Sequence, residues 1–192
     1  MRARHIRDVA IGAMFGLTII VLTAWCSVMF DSCESNAWAS DEITEAEVVR
    51  AVQTLQPGHS PPVAAAWGGV IWEAGQETSI DPLLITAIVF RESSIQEGVV
   101  GTRGEVGPMQ LHGAALHFRP RRCDPREISC SIRGGSAVLS YWRAACNEDA
   151  WNIWVGAYGL GRCPAGDEAA DLRSVRRARE LYERIGGTGW EE

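Results

Sequence analysis

Hydrophobic residues in most of this chain recur at helical spacing. From Ile43 onward they return every three or four residues, and no segment has the two-residue alternation of a half-buried strand. With 46% hydrophobic and 22% charged residues in 192, the composition is that of an ordinary globular protein. We therefore predict a mostly α fold.

Capping and turn residues divide this part into helices. Thr44 and Glu47 have the spacing of a capping box, which predicts a first helix over 44–55. Asp81 followed by Pro82 predicts the start of a helix that ends near Ser93. Further helices are predicted over 63–77, 131–145, 149–159 and 167–185, with a short helix near Pro108 and loops over 95–107 and 120–130.

The amino-terminal segment has the pattern of an export signal. Three arginines fall within the first eight residues, and residues 9–30 carry no charge. That run is long enough to cross a hydrocarbon core of about 30 Å, while Ala-Trp-Ala at 37–39 fits a cleavage site. We expect residues 1–39 to be a signal peptide or a signal-anchor held in the cytoplasmic membrane by 9–30. The rest is expected to be exported, periplasmic or extracellular.

Charge and composition exclude several kinds of chemistry. The formal net charge is −6, which argues against a nucleic-acid partner. All 18 basic residues are arginines, so lysine Schiff bases and Walker-type phosphate loops are excluded. No cysteine pair has the spacing of a zinc site. We predict no metal, and no protein partner is indicated.

Four cysteines follow the predicted cleavage site. In an oxidising compartment they most simply form two disulfides, and three connectivities are possible. We favour the local pairing, Cys123 with Cys130 and Cys146 with Cys163. One disulfide, or buried free thiols, is the alternative.

Glu92 places a carboxylate on the apolar face of the predicted third helix. It lies four residues after Ile88 and seven after Ile85. Burial against hydrocarbon disfavours the ionised form, so the acid would stay protonated near neutral pH, as a general acid must. Alternatively, Glu92 pairs with an arginine such as Arg91. The residues alone leave both possibilities open.

Three ordered sequence blocks resemble the catalytic domain of soluble lytic transglycosylases. They are I-D-P-L-L-I-T-A-I with R-E-S-S over 80–94, G-E-V-G-P-M-Q-L over 104–111, and A-Y-G-L-G over 157–161. Their order and spacing match that family over roughly residues 63–185. The resemblance implies a lysozyme-like helical domain that acts on peptidoglycan glycan strands without a cofactor.

The resemblance also assigns roles to individual residues. Glu92 matches the family's single catalytic glutamate, and Gly159 and Arg162 depart from its usual Asn and Pro. His112 either contacts sugar or caps the short helix, and we favour the cap. The residues expected to bind substrate are Ser93, Met109, Gln110, His112 and Tyr158.

The implied reaction is cleavage of the β-1,4 bond between N-acetylmuramic acid and N-acetylglucosamine. Glu92 would act as acid and then as base, giving a 1,6-anhydro product. One alternative is a goose-lysozyme-like muramidase, which uses water and a second carboxylate from Glu97 or Glu105. Another is a non-catalytic peptidoglycan-binding or scaffold protein, suggested by the departures in the third block.

The expected organisation has four parts. Residues 1–39 form the export segment, and 40–62 form an amino-terminal helix and linker. Residues 63–185 form the lytic transglycosylase-like catalytic domain, and 186–192 a tail.

Overall fold

The computed structural model describes residues 43–146, 150–165 and 168–189. The predicted export segment therefore lies outside the described residues. Within these ranges the chain is mostly helical, has no β-strand, and has no helix long and apolar enough to cross a membrane. The helices are α1 Glu45–Leu55, α2 Pro61–Thr78, α3 Pro82–Ser93, a 3₁₀ helix Gly113–Phe118, α4 Ile128–Ala145, α5 Trp151–Leu160, α6 Glu168–Asp171 and α7 Arg173–Arg184.

Helix α1 starts at the predicted capping box. The Thr44 hydroxyl accepts from the Glu47 amide, and the Glu47 carboxylate accepts from the Thr44 amide at 2.7 Å. α1 then packs closely on α2: a Cβ added to Gly68 would lie 2.5 Å from Cγ2 of Val49. Glycine at this position therefore allows the two helices to touch.

Helix α3 runs through the core. Every residue from Pro82 to Val89 is buried, because α1, α2 and α7 all pack against this helix. A helix that is apolar all round lies inside a protein. The polar residues at its two ends, Asp81 and Glu92, are therefore the ones that need a physical explanation.

Helix α7 is tied to the start of α3. The Tyr182 hydroxyl donates to Oδ2 of Asp81 at 2.6 Å, and it lies 2.9 Å from the Thr188 carbonyl. Burial raises the pKa of Asp81, while its hydrogen bonds from Tyr182 and from the Leu83 and Leu84 amides oppose that rise. The predicted tail spans 186–192, and its residues up to Thr188 therefore belong to the folded structure.

The short helix predicted near Pro108 is not there. A turn occupies that position, with Gly107 (φ 76°) and Gln110 (φ 49°) both left-handed. Left-handed residues cannot continue a right-handed helix, and the 3₁₀ helix begins only at Gly113.

The boundaries of the helices near α4 and α7 also differ from prediction. α4 begins at Ile128, within the predicted 120–130 loop. The predicted helix over 167–185 is interrupted at Leu172, where the backbone is extended and α7 begins anew. The Leu172 side chain packs beside Gly156 of α5, where an added Cβ would lie 2.9 Å from it. Tertiary packing thus sets this break.

Both disulfides have the favoured local pairing. Cys123 is bonded to Cys130, with their Cα atoms 5.8 Å apart, and Cys146 to Cys163, with their Cα atoms 5.6 Å apart. The first closes the loop before α4. The second links the end of α4 to the segment after α5, so the two helices are also joined covalently.

Candidate active site

Glu92 stands near the carboxyl end of α3, where the helix leaves the core. Its side chain is 23% exposed, while the neighbouring Arg91 side chain is only 9% exposed. The buried length of α3 up to Val89 fixes the backbone that carries Glu92. Its carboxylate is therefore on a rigid element yet remains accessible to solvent.

The carboxylate of Glu92 is paired with Arg91. Nε of Arg91 donates to Oε1 of Glu92 at 2.9 Å, and Nη2 donates to the same oxygen. Nη1 donates to the carbonyl of Ser174, at the start of α7, at 3.0 Å. Of the two possibilities that the sequence left open, the structure has the arginine pair.

Tyr158 on α5 is close enough to Glu92 for the charge of Glu92 to affect its phenol. Burial raises the pKa of its phenol far above the ordinary value, the charge of Glu92 raises it further, and Arg91 opposes this. The phenol is therefore neutral across the physiological range. It donates to the Met109 carbonyl at 2.6 Å, which connects the third sequence block to the second.

The Gly107–Leu111 turn presents Gln110 and buries Met109. The side chain of Met109 is fully buried against Gly135, so direct contact between that side chain and a glycan is incompatible with its position. Gln110 is half-buried, and its Nε2 donates to the Gly107 carbonyl at 2.9 Å. Its backbone is left-handed, with φ 49°.

Ser93 and His112 have different surroundings from those expected. Ser93 is buried, and its hydroxyl donates to the Val89 carbonyl of its own helix at 3.0 Å. His112 is exposed and occupies the N-cap position of the 3₁₀ helix, but its side chain makes no capping hydrogen bond. His112 therefore has the capping position that we favoured, but its side chain does not supply a capping hydrogen bond. Its contact with sugar stays a prediction.

Glu105 and Gln110 meet at Gly101, a cluster that the sequence did not reveal. A Cβ at Gly101 would lie 2.5 Å from Oε2 of Glu105 and 2.7 Å from Oε1 of Gln110. A larger residue at position 101 would need the ends of both side chains to move. The glycine-rich composition of 95–107 was the only available signal.

Glu105 is held as an ionised carboxylate. Its pKa is lowered, chiefly by its own backbone amide and then by hydrogen bonds from Arg103, whose Nε lies 2.7 Å from Oε1. Glu97, the other candidate for a second carboxylate, is exposed. Only Glu105 is therefore placed beside another predicted site residue, Gln110.

Gly159 and Arg162 depart from the family pattern; the first has space around it and the second has an acidic partner. An added Cβ at Gly159 would find only Oγ of Ser174, at 3.7 Å, so a side chain would fit there. Arg162 is exposed and pairs with Glu168, with Nη2 to Oε1 at 2.6 Å. It therefore links the residues just after α5 to the start of α6.

A cavity of about 390 Å³ on α7 is lined by Arg173, Arg176, Arg177 and Glu180, none of which is a predicted site residue. Across residues 43–146, 150–165 and 168–189, no three His, Cys, Asp or Glu side chains group as metal ligands.

The mostly helical fold, with a part-exposed glutamate near the end of a buried helix, is that of a lysozyme-like helical protein. Residues 69–174 match the family described as "Transglycosylase SLT domain", and the chain belongs to that family. The family acts on peptidoglycan glycan strands outside the cytoplasm. No match is found among curated proteins or solved structures.

The match covers the whole candidate site. Glu92, Gln110 and Tyr158 all lie within 69–174, while α1 and most of α7 lie outside it. Both outer helices nevertheless contribute to the same core, through Val48, Val52, Val175 and Leu181 among others.

Proposed function

We propose that this protein is an exported peptidoglycan lytic transglycosylase. It would cleave the β-1,4 bond between N-acetylmuramic acid and N-acetylglucosamine, leaving a 1,6-anhydro end. The observation that carries the proposal is Glu92: within the matched family domain, it is a part-exposed acid on a buried helix, and its charge raises the pKa of Tyr158.

The reaction needs one carboxyl group. Protonated Glu92 gives its proton to the glycosidic oxygen as the bond from that oxygen to C1 breaks. The resulting carboxylate then takes the proton of the C6 hydroxyl of the same sugar while the C6 oxygen bonds to C1. Glu92 ends protonated and no water is consumed. The internal nucleophile is favoured because it is already positioned.

Three polar residues are proposed to contact the glycan. Gln110 and Tyr158 lie on the two segments joined by the Tyr158–Met109 hydrogen bond, and His112 is exposed just beyond the turn. Ser93 and Met109 would support the site from within, through the helix and through the Met109 carbonyl. No metal or cofactor has a role in this mechanism.

A goose-lysozyme-like muramidase is the second candidate. The position of ionised Glu105 beside Gln110 favours it, because a hydrolase needs a base to activate water. A non-catalytic peptidoglycan-binding protein remains the third reading, on the departures at Gly159 and Arg162.

The chemical nature of the products separates the candidates. Purified peptidoglycan is digested with the full chain, and the released muropeptides are analysed by mass spectrometry. Anhydro ends are expected, whereas reducing ends would replace this proposal by the muramidase. Glu92→Gln should release nothing, and Glu73→Gln, an exposed acid paired with Arg133 on α4, is the matched control that should release as much as the wild type.

We also propose where in the cell the protein acts. Residues 1–39 would direct export, and the protein would act in the periplasm or outside the cell, with residues 9–30 anchoring it if cleavage does not occur. The compact unit begins at Ile43. Helix α1, within the predicted 40–62 segment, therefore folds with the proposed catalytic domain over 63–185.

A further inference from the structure

The contact between Arg91 and Glu92 is unusual for two neighbouring residues in a helix. Side chains at successive helix positions point in different directions and do not normally meet. Here the arginine reaches its neighbour while Nη1 is held by the carbonyl of Ser174, which lies on another helix. An anchor far along the sequence therefore sets the direction of this guanidinium.

The pairing treats the two carboxylate oxygens of Glu92 differently. Oε1 accepts two N–H groups of Arg91. Oε2 accepts no hydrogen bond from any residue that the structure describes. A guanidinium does not give up its protons, so a proton on Oε1 would compete with both N–H groups. The acid proton is therefore favoured on Oε2.

We propose that Arg91 is a positioning residue for this reaction. It fixes the plane of the Glu92 carboxyl group, directs the acid proton to Oε2, and stabilises the carboxylate left after proton transfer. The Ser174 carbonyl holds the arginine in place, so the start of α7 takes part in orienting the acid. This inference rests on the proposed function.

A purely structural role is the alternative for Arg91, because its side chain is buried. A guanidinium that is 9% exposed needs partners whatever its function. Loss of such a partner lowers stability, but it does not change the turnover of the molecules that remain folded. The test must therefore measure kcat and KM on folded protein.

Two substitutions separate these roles. Arg91→Gln removes the charge and the planar set of N–H donors. Arg91→Lys keeps the charge, but its ammonium cannot contact Glu92 through two N–H groups and Ser174 at the same time. We expect kcat to fall about 100-fold in Arg91→Gln and about tenfold in Arg91→Lys, with KM within twofold. Arg133→Gln, which breaks the α2–α4 ion pairs with Glu73 and Glu77, is the matched control and should keep kcat within about twofold.

The outcomes distinguish this inference from the proposed function. If Glu92→Gln is as active as the wild type, the proposed function fails and the role of Arg91 fails with it. If Glu92→Gln is inactive while folded Arg91→Gln keeps kcat within twofold, or changes only KM, the role of Arg91 alone is overturned. Should Arg91→Gln not fold, Arg91→Lys decides: wild-type kcat contradicts the proposal, and a tenfold loss at unchanged melting temperature supports it.

Discussion

The two ends of helix α3 each carry an acid, and the two acids are bound in opposite ways. At the start, Asp81 has both oxygens engaged: Oδ1 by the Leu83 and Leu84 amides and Oδ2 by Tyr182. At the end, Glu92 has one oxygen engaged by Arg91. Both ends are tied to α7. An acid whose two oxygens both accept hydrogen bonds stabilises a fold, whereas an acid with one oxygen that accepts none from the described residues can exchange a proton.

Stability should distinguish the two ends most strongly. Asp81→Ala removes a helix cap and leaves the Tyr182 hydroxyl without its carboxylate, so we expect the free energy of unfolding to fall by about 3 kcal/mol. Denaturant titration with circular dichroism measures it. Glu92→Ala is the companion variant, and an equal loss from it would contradict the comparison.

Removing only the hydroxyl that reaches Asp81 should have a smaller effect. In Tyr182→Phe the ring still packs on Trp151, with centroids 4.8 Å apart in the parent, but Oδ2 of Asp81 loses its donor. We expect a loss of about 2 kcal/mol, because the bond is made to a charged group. The same titration measures it, and no change in midpoint would mean that the hydroxyl is dispensable.

The helix starts that the sequence predicts correctly are those fixed by residues close to them in the chain. α1 and α3 begin where Thr44 and Asp81 place them, because a cap and the amide it binds lie within three residues. The break at Leu172 and the turn at Pro108 depended on packing and on left-handed backbone, which the residue types alone did not reveal.

The candidate site also has a part that the sequence predicts and a part that it does not. The position of Glu92 near the end of an apolar helix was evident from spacing. The way Arg91 contacts Glu92 could not be predicted, because Arg91 is held by the Ser174 carbonyl, 83 positions away in the sequence. The meeting of Glu105 and Gln110 at Gly101 likewise depends on how a loop folds on itself.

Acidity should affect the start of α3 in a defined direction. Burial raises the pKa of Asp81 above its ordinary 3.8, so the folded state binds a proton more readily than the unfolded state. This contribution favours folding at low pH and is lost as pH rises from about 3.8 through the folded-state pKa. Asp81→Asn lacks it. We expect the wild type to lose stability relative to Asp81→Asn as pH rises, measured by melting at a series of pH values; an opposite slope would contradict the burial of a charged Asp81.

The smallest effect is expected beside Glu92 itself. Ser93→Ala removes a hydroxyl that donates to the Val89 carbonyl and accepts a long hydrogen bond of 3.4 Å from the Gln96 amide, so stability should change by less than about 1 kcal/mol. We expect kcat/KM to stay within about twofold, as measured on peptidoglycan fragments. A tenfold loss would instead indicate that Ser93 contacts the glycan directly.

The central claim is that Glu92 supplies the proton. The most direct measurement is the rate of muropeptide release by Glu92→Gln relative to the wild type, on the same peptidoglycan and with equal melting temperatures. The account predicts a rate at least about 100-fold lower, because glutamine keeps the shape but has no proton to transfer. A rate within twofold of the wild type would contradict it.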